Sequence, residues 1–180
     1  SYTRTYDSAN RQLTEAKGGT TEITYAYDAT GKKGQLSTVT DANSRVITYA
    51  YTNRKQLYTV NENSGTTTYS YDANGNETGI TNANGTTVTK AYDDAGHLSS
   101  VTNKTGGGTT LSSFTYTYSN DDQRTSCTES NGDVVSYGYS ANHRLISESR
   151  TGANSYSNSY SLDQVGNRTS QTIGGTTTTF

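Results

Sequence analysis

Asp72, Asn74, Asn76 and Glu77 gather potential metal ligands in one short stretch, Asp72-Ala73-Asn74-Gly75-Asn76-Glu77. Four side-chain oxygens or amides within six residues suggest calcium. A calcium loop needs oxygen ligands at set positions, a glycine at the sixth and a distant bidentate glutamate. Here Gly75 is fourth and the distant glutamate is missing. Asp72 is therefore read as an Asx residue that caps its own turn. No metal and no other cofactor is expected.

His97, His143 and Cys127 are the remaining side chains with catalytic chemistry. Cys127 paired with His143 would make a thiol nucleophile and its base. Cys127 instead falls where a strand should run and reads as a small apolar filler. The histidines read as two exposed turn residues, because no spacing brings either to an aspartate. No catalytic residue is expected, and the chain is read as a non-enzyme. Asn76, Asn84, Asn103 and Asn167 open N-x-T sequons, which arise readily by chance in a threonine-rich chain.

The tyrosines have a further chemistry. Tyr25, Tyr49, Tyr69, Tyr116 and Tyr137 could present rings that stack on sugars, with nearby Asn and Asp bonding hydroxyls. The alternative function is thus a carbohydrate- or cell-surface-binding adhesin module. The competing reading is that these rings are the packing of a sheet. Their recurrence in tandem favours packing.

That recurrence defines the elements. Tyr69-Ser70-Tyr71-Asp72-Ala73-Asn74-Gly75 returns as Tyr25-Ala26-Tyr27-Asp28-Ala29-Thr30-Gly31 and, with Lys90 for the first tyrosine, as Ala91-Tyr92-Asp93-Asp94-Ala95-Gly96. Tyr49-Ala50-Tyr51, Tyr116-Thr117-Tyr118 and Tyr137-Gly138-Tyr139 keep the pair and lose the aspartate. Taking Tyr6, Tyr27, Tyr51, Tyr71, Tyr92, Tyr118, Tyr139 and Tyr160 as anchors gives a mean spacing of 22 residues. The longer steps have room around Lys32-Lys33-Gly34 and Gly106-Gly107-Gly108. Such a period marks units that cannot bury a face alone and must stack on their neighbours.

Two and four residues before each anchor the chain is mostly aromatic or apolar, and small polar residues lie between. This period of two marks a strand with one better-buried face. Leu36 to Val39, Leu57 to Val60 and Leu98 to Val101 mark a second strand in each unit. A spacing of three puts the two side chains on opposite faces of a regular strand, so either both faces are partly covered or a bulge intervenes. Gly18-Gly19, Asn43-Ser44, Ser64-Gly65, Asn84-Gly85, Asn131-Gly132 and Gly174-Gly175 supply the second turn. Each unit is thus one β-hairpin. The fold class is all-β: about eight tandem hairpins in one continuous antiparallel sheet, curved or spiralling.

Composition agrees. Leu, Ile, Val and Phe total 22 of 180 residues, below the ~20% under which chains tend to disorder. A net charge of −2 argues against disorder, and 16 tyrosines supply the missing apolar area. One cysteine excludes an internal disulfide. No membrane span or signal peptide is visible, and no basic patch invites nucleic acid.

The Y-x-Y-D-x-x-G-x-(L/I) unit resembles the YD repeat of the rearrangement-hotspot (Rhs) proteins. Tyr71-Asp72-Ala73-Asn74-Gly75-Asn76 and Tyr92-Asp93-Asp94-Ala95-Gly96-His97-Leu98 carry the likeness, which extends over nearly the whole chain. The family includes polymorphic toxins, wall-associated proteins, insecticidal toxin complexes and teneurins. The resemblance implies a β-strip that spirals into a hollow shell, which in toxins encloses an effector. It also adds weight to the sugar-binding alternative. A proline-containing self-cleavage segment typical of the family is absent, since the chain has no proline.

The resulting expectation is a structural scaffold: residues 1–180 as a single YD-repeat array, cut from a longer secreted or surface bacterial protein. Its structural positions would be Tyr27, Asp28, Tyr51, Tyr71, Asp72, Gly75, Tyr92, Asp93, Gly96, Tyr118, Tyr139 and Tyr160. Its partners would be flanking repeats and an enclosed cargo of the same polypeptide. Glycans are the alternative partner. Exposed edge strands would also favour self-association.

Overall fold

The computed structural model describes residues 1–28, 34–63, 65–152 and 154–180. The expected turn at 29–33 and Ser64 of the Ser64-Gly65 turn lie outside the described residues. The described residues form seventeen β-strands and no helix, as expected of about eight tandem hairpins.

The chain divides into two units, Ser1–Thr87 and Val88–Phe180. The first holds β1 (Tyr2–Tyr6), β2 (Gln12–Lys17), β3 (Thr20–Tyr27), β4 (Leu36–Asp41), β5 (Val46–Tyr51), β6 (Leu57–Glu62), β7 (Gly65–Tyr71) and β8 (Glu77–Thr81). Each pairs antiparallel with the next. β9 (Thr87–Tyr92) starts at the division. The second unit continues with β10 (Leu98–Lys104), β11 (Thr110–Tyr118), β12 (Arg124–Glu129), β13 (Val134–Tyr139), β14 (Leu145–Arg150), β15 (Tyr156–Leu162), β16 (Arg168–Ile173) and β17 (Thr176–Thr179). From β10 onward, neighbours in sequence are again antiparallel partners.

The period-two pattern is visible in coverage. In β3, Ile23, Tyr25 and Tyr27 are half-buried, while Thr24 and Ala26 are exposed. β5 and β15 alternate in the same way. The tyrosine face is therefore the covered face, and threonine and serine fill the other. Cover comes from neighbouring side chains: among the described residues no large side chain is fully buried. Cys127, Val135 and Asp133 are the most covered described residues, at 8%, 7% and 8% exposure.

A bulge resolves the Leu-x-x-Val spacing. Opposite six of the anchors the register slips by one residue: Tyr51 faces Leu57 while Ala50 faces Thr59, and Tyr27 faces Leu36 while Ala26 faces Thr38. The extra residue restores both Leu57 and Val60 to the tyrosine face, where Val60 faces Tyr49. The same slip occurs at Tyr6, Tyr71, Tyr118 and Tyr139.

The last anchor is corrected. The slip in β15 falls at Leu162, which faces Arg168, whereas Tyr160 faces Gln171. Leu162-Asp163 therefore takes the Tyr-Asp place, and Tyr160 sits two residues before it. An aliphatic residue at the anchor hid this register in the sequence.

After Tyr6, Tyr51, Tyr71, Tyr92, Tyr118, Tyr139 and Leu162 comes one turn type. Asp72 N donates to Asn76 O at 3.0 Å and Gly75 N donates to Asp72 O at 3.1 Å, with Gly75 at φ 95°. This is a type I turn followed by a left-handed residue, a common three-residue hairpin loop. Asn10, Lys55, Asp122 and His143 hold the left-handed place in other copies, at φ between 59° and 64°.

Candidate functional site

Tyr27, Tyr71, Tyr118 and Tyr139, with Asp72 and Asp93, belong to a feature that recurs along the chain, at the junction between one turn and the next hairpin. Its first component is the turn acid. Asp72 Oδ1 accepts from Asn76 N at 2.9 Å, and its Oδ2 accepts from Asn76 Nδ2 at 3.0 Å. Asp93 accepts from the backbone nitrogens of Ala95 and His97 at 3.0 and 2.8 Å. Thr52, Ser119 and Ser140 perform the same task with a hydroxyl in the copies that lost the aspartate. These bonds act on the carboxylates. The Asn76 amide, opposed by desolvation, holds Asp72 below the usual range. The Asn167 amide does so for Asp163, and the Arg11 backbone N–H for Asp7. At Asp93 desolvation works upward, but the His97 backbone and ring bonds together prevail.

The second component is the anchor hydroxyl. Tyr71 OH donates to Leu57 O at 2.7 Å, and Tyr27 OH to Gln12 O at 2.9 Å. Tyr118 OH donates to Leu98 O, and Tyr139 OH to Arg124 O, both at 2.9 Å. In each case the acceptor is the first residue of the preceding hairpin's second strand. Where the ladder at that residue is described, at Gln12, Leu57 and Arg124, it is interrupted by the bulge. An interrupted ladder has backbone groups to satisfy, and the next unit's tyrosine takes one. The ring thus fastens each hairpin to the one before it. The sequence shows the tyrosine period but not this bond, because its acceptor is a backbone carbonyl with no residue signature.

The third component joins turn to turn. Gln56 Nε2 donates to Gly75 O at 2.9 Å, and the Arg54 guanidinium donates to Ala73 O. Arg144 Nη2 donates to Val165 O at 2.9 Å. His97 has the corresponding place. Its Nδ1 lies 3.0 Å from Asp93 Oδ2 and its Nε2 3.1 Å from Asp122 Oδ1, while its ring stacks on Tyr118 at 4.6 Å. His97 is therefore not the exposed turn residue expected, since its side chain is only 23% exposed. Asp122 is too distant in sequence for spacing to predict the contact. Both ring nitrogens are engaged, so neither is available to take a proton from a nucleophile. His143 is exposed, at the left-handed place of its turn.

Between successive turns lie shallow hollows. One, of about 550 Å³, is bounded by Arg54, Gln56, Tyr58, Tyr69, Tyr71 and Asp72. The second, of about 350 Å³, is bounded by Asp93, His97, Ser99, Tyr116, Tyr118 and Asp122. Tyr25, Tyr49, Tyr69, Tyr116 and Tyr137 are half-buried. They face Val39, Val60, Ile80, Cys127 and Glu148 across the ladder. Tyr69 and Tyr116 thus contribute to the hollows, and Tyr25, Tyr49 and Tyr137 do not border them.

In the second unit the covered face turns ionic. Arg150 Nη2 lies 2.7 Å from Glu129 Oε2 and 3.1 Å from Asp133 Oδ2. Tyr156 OH donates to Glu148, and that bond, with burial, pushes the tyrosine up to about 12. Gly152, at φ 92°, lies so close that a Cβ there would overlap the Asp133 carboxylate. Cys127 neighbours this row, and burial pushes its thiol upward, away from thiolate reactivity.

A family model, RHS Repeat, matches residues 57–87 and 71–110. Residues 57–110 thus carry RHS repeats. No curated protein sequence matches it significantly. Among solved structures, the crystal structure of TcdB2-TccC3 superposes on 96% of the chain with a TM-score of 0.78 at 19% identity. The Photorhabdus luminescens Tc holotoxin pore gives the same coverage, TM-score and identity. At that identity the likeness is one of fold. The chain spans about a tenth of the length of either match, 10%.

Proposed function

We propose that the chain is a non-catalytic scaffold, a segment of an RHS-repeat wall that encloses or presents another part of a secreted bacterial polypeptide. On this reading residues 1–180 act as one repeat array and the flanking chain supplies both further repeats and cargo. The observation that carries it is the recurrent anchor bond, made by Tyr27, Tyr71, Tyr118 and Tyr139 to the preceding hairpin. This chemistry is spent on joining unit to unit. The fold shared with TcdB2-TccC3 supports the same reading. Protease protection in the parent polypeptide tests it. Flanking chain should be cut slowly when the repeats are intact and rapidly when Tyr71→Ala and Tyr118→Ala loosen them. Equal cutting in both would overturn the enclosing role.

One observation favours a second reading. Tyr58 is 49% exposed at the rim of the larger hollow, beside Arg54. A sugar ring could stack there, the hydroxyls bonding Arg54 and Ser70. Glycan-array binding that disappears in Tyr58→Ala while the fold survives would support it, and an array without signal would remove it.

A further inference from the structure

Three Asn-Gly pairs occupy the same two places in equivalent five-residue turns: Asn74-Gly75, Asn84-Gly85 and Asn131-Gly132. A glycine nitrogen is the least shielded backbone nucleophile, because its residue has no Cβ. Such pairs are where an asparagine side chain is most open to attack by its own chain. The three sites share sequence and turn type but differ in their bonds.

Asn84 Oδ1 accepts from Thr86 N at 3.1 Å and Thr86 Oγ1 at 2.8 Å. Asn131 Oδ1 accepts from Asp133 N at 3.0 Å while its Nδ2 donates to Asp133 Oδ2 at 3.1 Å. Asn74 is exposed, and its carboxamide makes no hydrogen bond to the described residues. The attacking nitrogens differ in the same direction. Gly85 N and Gly132 N are held by turn carbonyls at 2.8 and 2.9 Å, Gly75 N at 3.1 Å.

We propose that Asn74 is a site of spontaneous covalent modification, closing a succinimide with Gly75 while Asn84 and Asn131 are held back by their side-chain bonds. Gly75 N, having lost its proton to base, attacks Asn74 Cγ. The Cγ–Nδ2 bond breaks and the nitrogen leaves as ammonia, taking up a proton. Water then opens the ring at either carbonyl, leaving an aspartyl or isoaspartyl residue with one new carboxylate. The ring has no Gly75 N–H to give Asp72 O, and the isoaspartyl product carries an extra methylene in the main chain. Both changes fall between the Ala73 and Gly75 carbonyls that Arg54 and Gln56 hold. Modification therefore loosens the strap between these two turns.

The test is peptide mapping by mass spectrometry after incubating the intact chain at mildly alkaline pH, with isoaspartyl methyltransferase labelling as a second readout. The folded protein should convert Asn74 several-fold faster than Asn84 or Asn131, and the three rates should converge in urea. Thr86→Val should speed Asn84. Asn84 or Asn131 keeping pace with Asn74 in the folded protein would overturn the proposal. So would an Asn74 lead that persists unchanged in urea, because the cause would then be sequence rather than structure.

Discussion

The two units build the same hairpins but fill the covered face differently. In Ser1–Thr87 aromatic and aliphatic rows predominate: Tyr25 faces Val39, which faces Ile47, and Tyr69 faces Ile80, while one exposed ion pair, Arg4–Glu15, sits in the row that leads to Ile23. In Val88–Phe180 the row from Tyr116 runs through Cys127 and Val135 to Arg150 and Tyr156. The next row places Glu148 opposite Tyr137 and Asn158 opposite Glu148. The ionic unit nevertheless contains the most covered residues. The comparison teaches that the bulge, the turn and the anchor bond define the repeat, and the row residues are exchangeable. Exchange has a condition, which is that each inserted charge meets a partner.

Removing that partner is the strongest way to break the comparison. Arg150→Ala takes the cation from between Glu129 and Asp133, leaving two neighbouring carboxylates of which Asp133 keeps its bond from Asn131. Truncating one member of a buried pair costs roughly 3–5 kcal/mol, so about 2–3 is expected for this partly covered cluster. Urea denaturation checks it; in the first unit, Val60→Ala should cost less, about 1–2 kcal/mol for a half-covered aliphatic. Equal losses would mean that the ionic row contributes no more than an apolar one.

Turn acids give the next effect. Asp72→Ala removes a carboxylate that holds both the backbone and side chain of Asn76, and urea unfolding should show a loss smaller than that of Arg150→Ala. Ser119→Ala, in the second unit, should lose about half as much because a neutral hydroxyl is the weaker acceptor. The same acids set the pH response. The folded values of Asp7, Asp72, Asp93 and Asp163 are depressed. Their contribution is complete above the unfolded value near ~3.9 and is lost as pH falls through the folded values. Tyr156 works in the opposite sense: raised to about 12, it stabilises below the unfolded value near ~10 and ceases to do so as pH rises through the folded value. Melting temperatures should therefore hold at neutral pH and fall at both extremes, with Tyr156→Phe flattening the alkaline limb.

Smallest is a gain. His143 adopts φ 59° where Gly75 serves in the equivalent turn. His143→Gly should relieve the left-handed strain by about 0.5–1 kcal/mol. A loss would show that the histidine ring holds the turn in some other way.

Much of this was legible because the period-two and period-22 patterns both act on side-chain types. Thr52, Ser119 and Ser140 were less so: a hydroxyl replaces the aspartate, so the repeat appears degraded although the bond persists. The Leu57-to-Val60 spacing posed the question of a bulge without answering it, since a slip of one residue leaves no composition signal. Leu162 concealed the last anchor, and the His97–Asp122 contact depends on two turns meeting.

The central claim is that anchor hydroxyls fasten each hairpin to its predecessor. Tyr71→Phe and Tyr118→Phe remove one oxygen each, keep the ring, and leave the Leu57 and Leu98 carbonyls without their donors. Urea unfolding should show a loss of about 1 kcal/mol for each. Unfolding curves superimposable on that of the unaltered chain would contradict the claim and leave the tyrosines as packing alone.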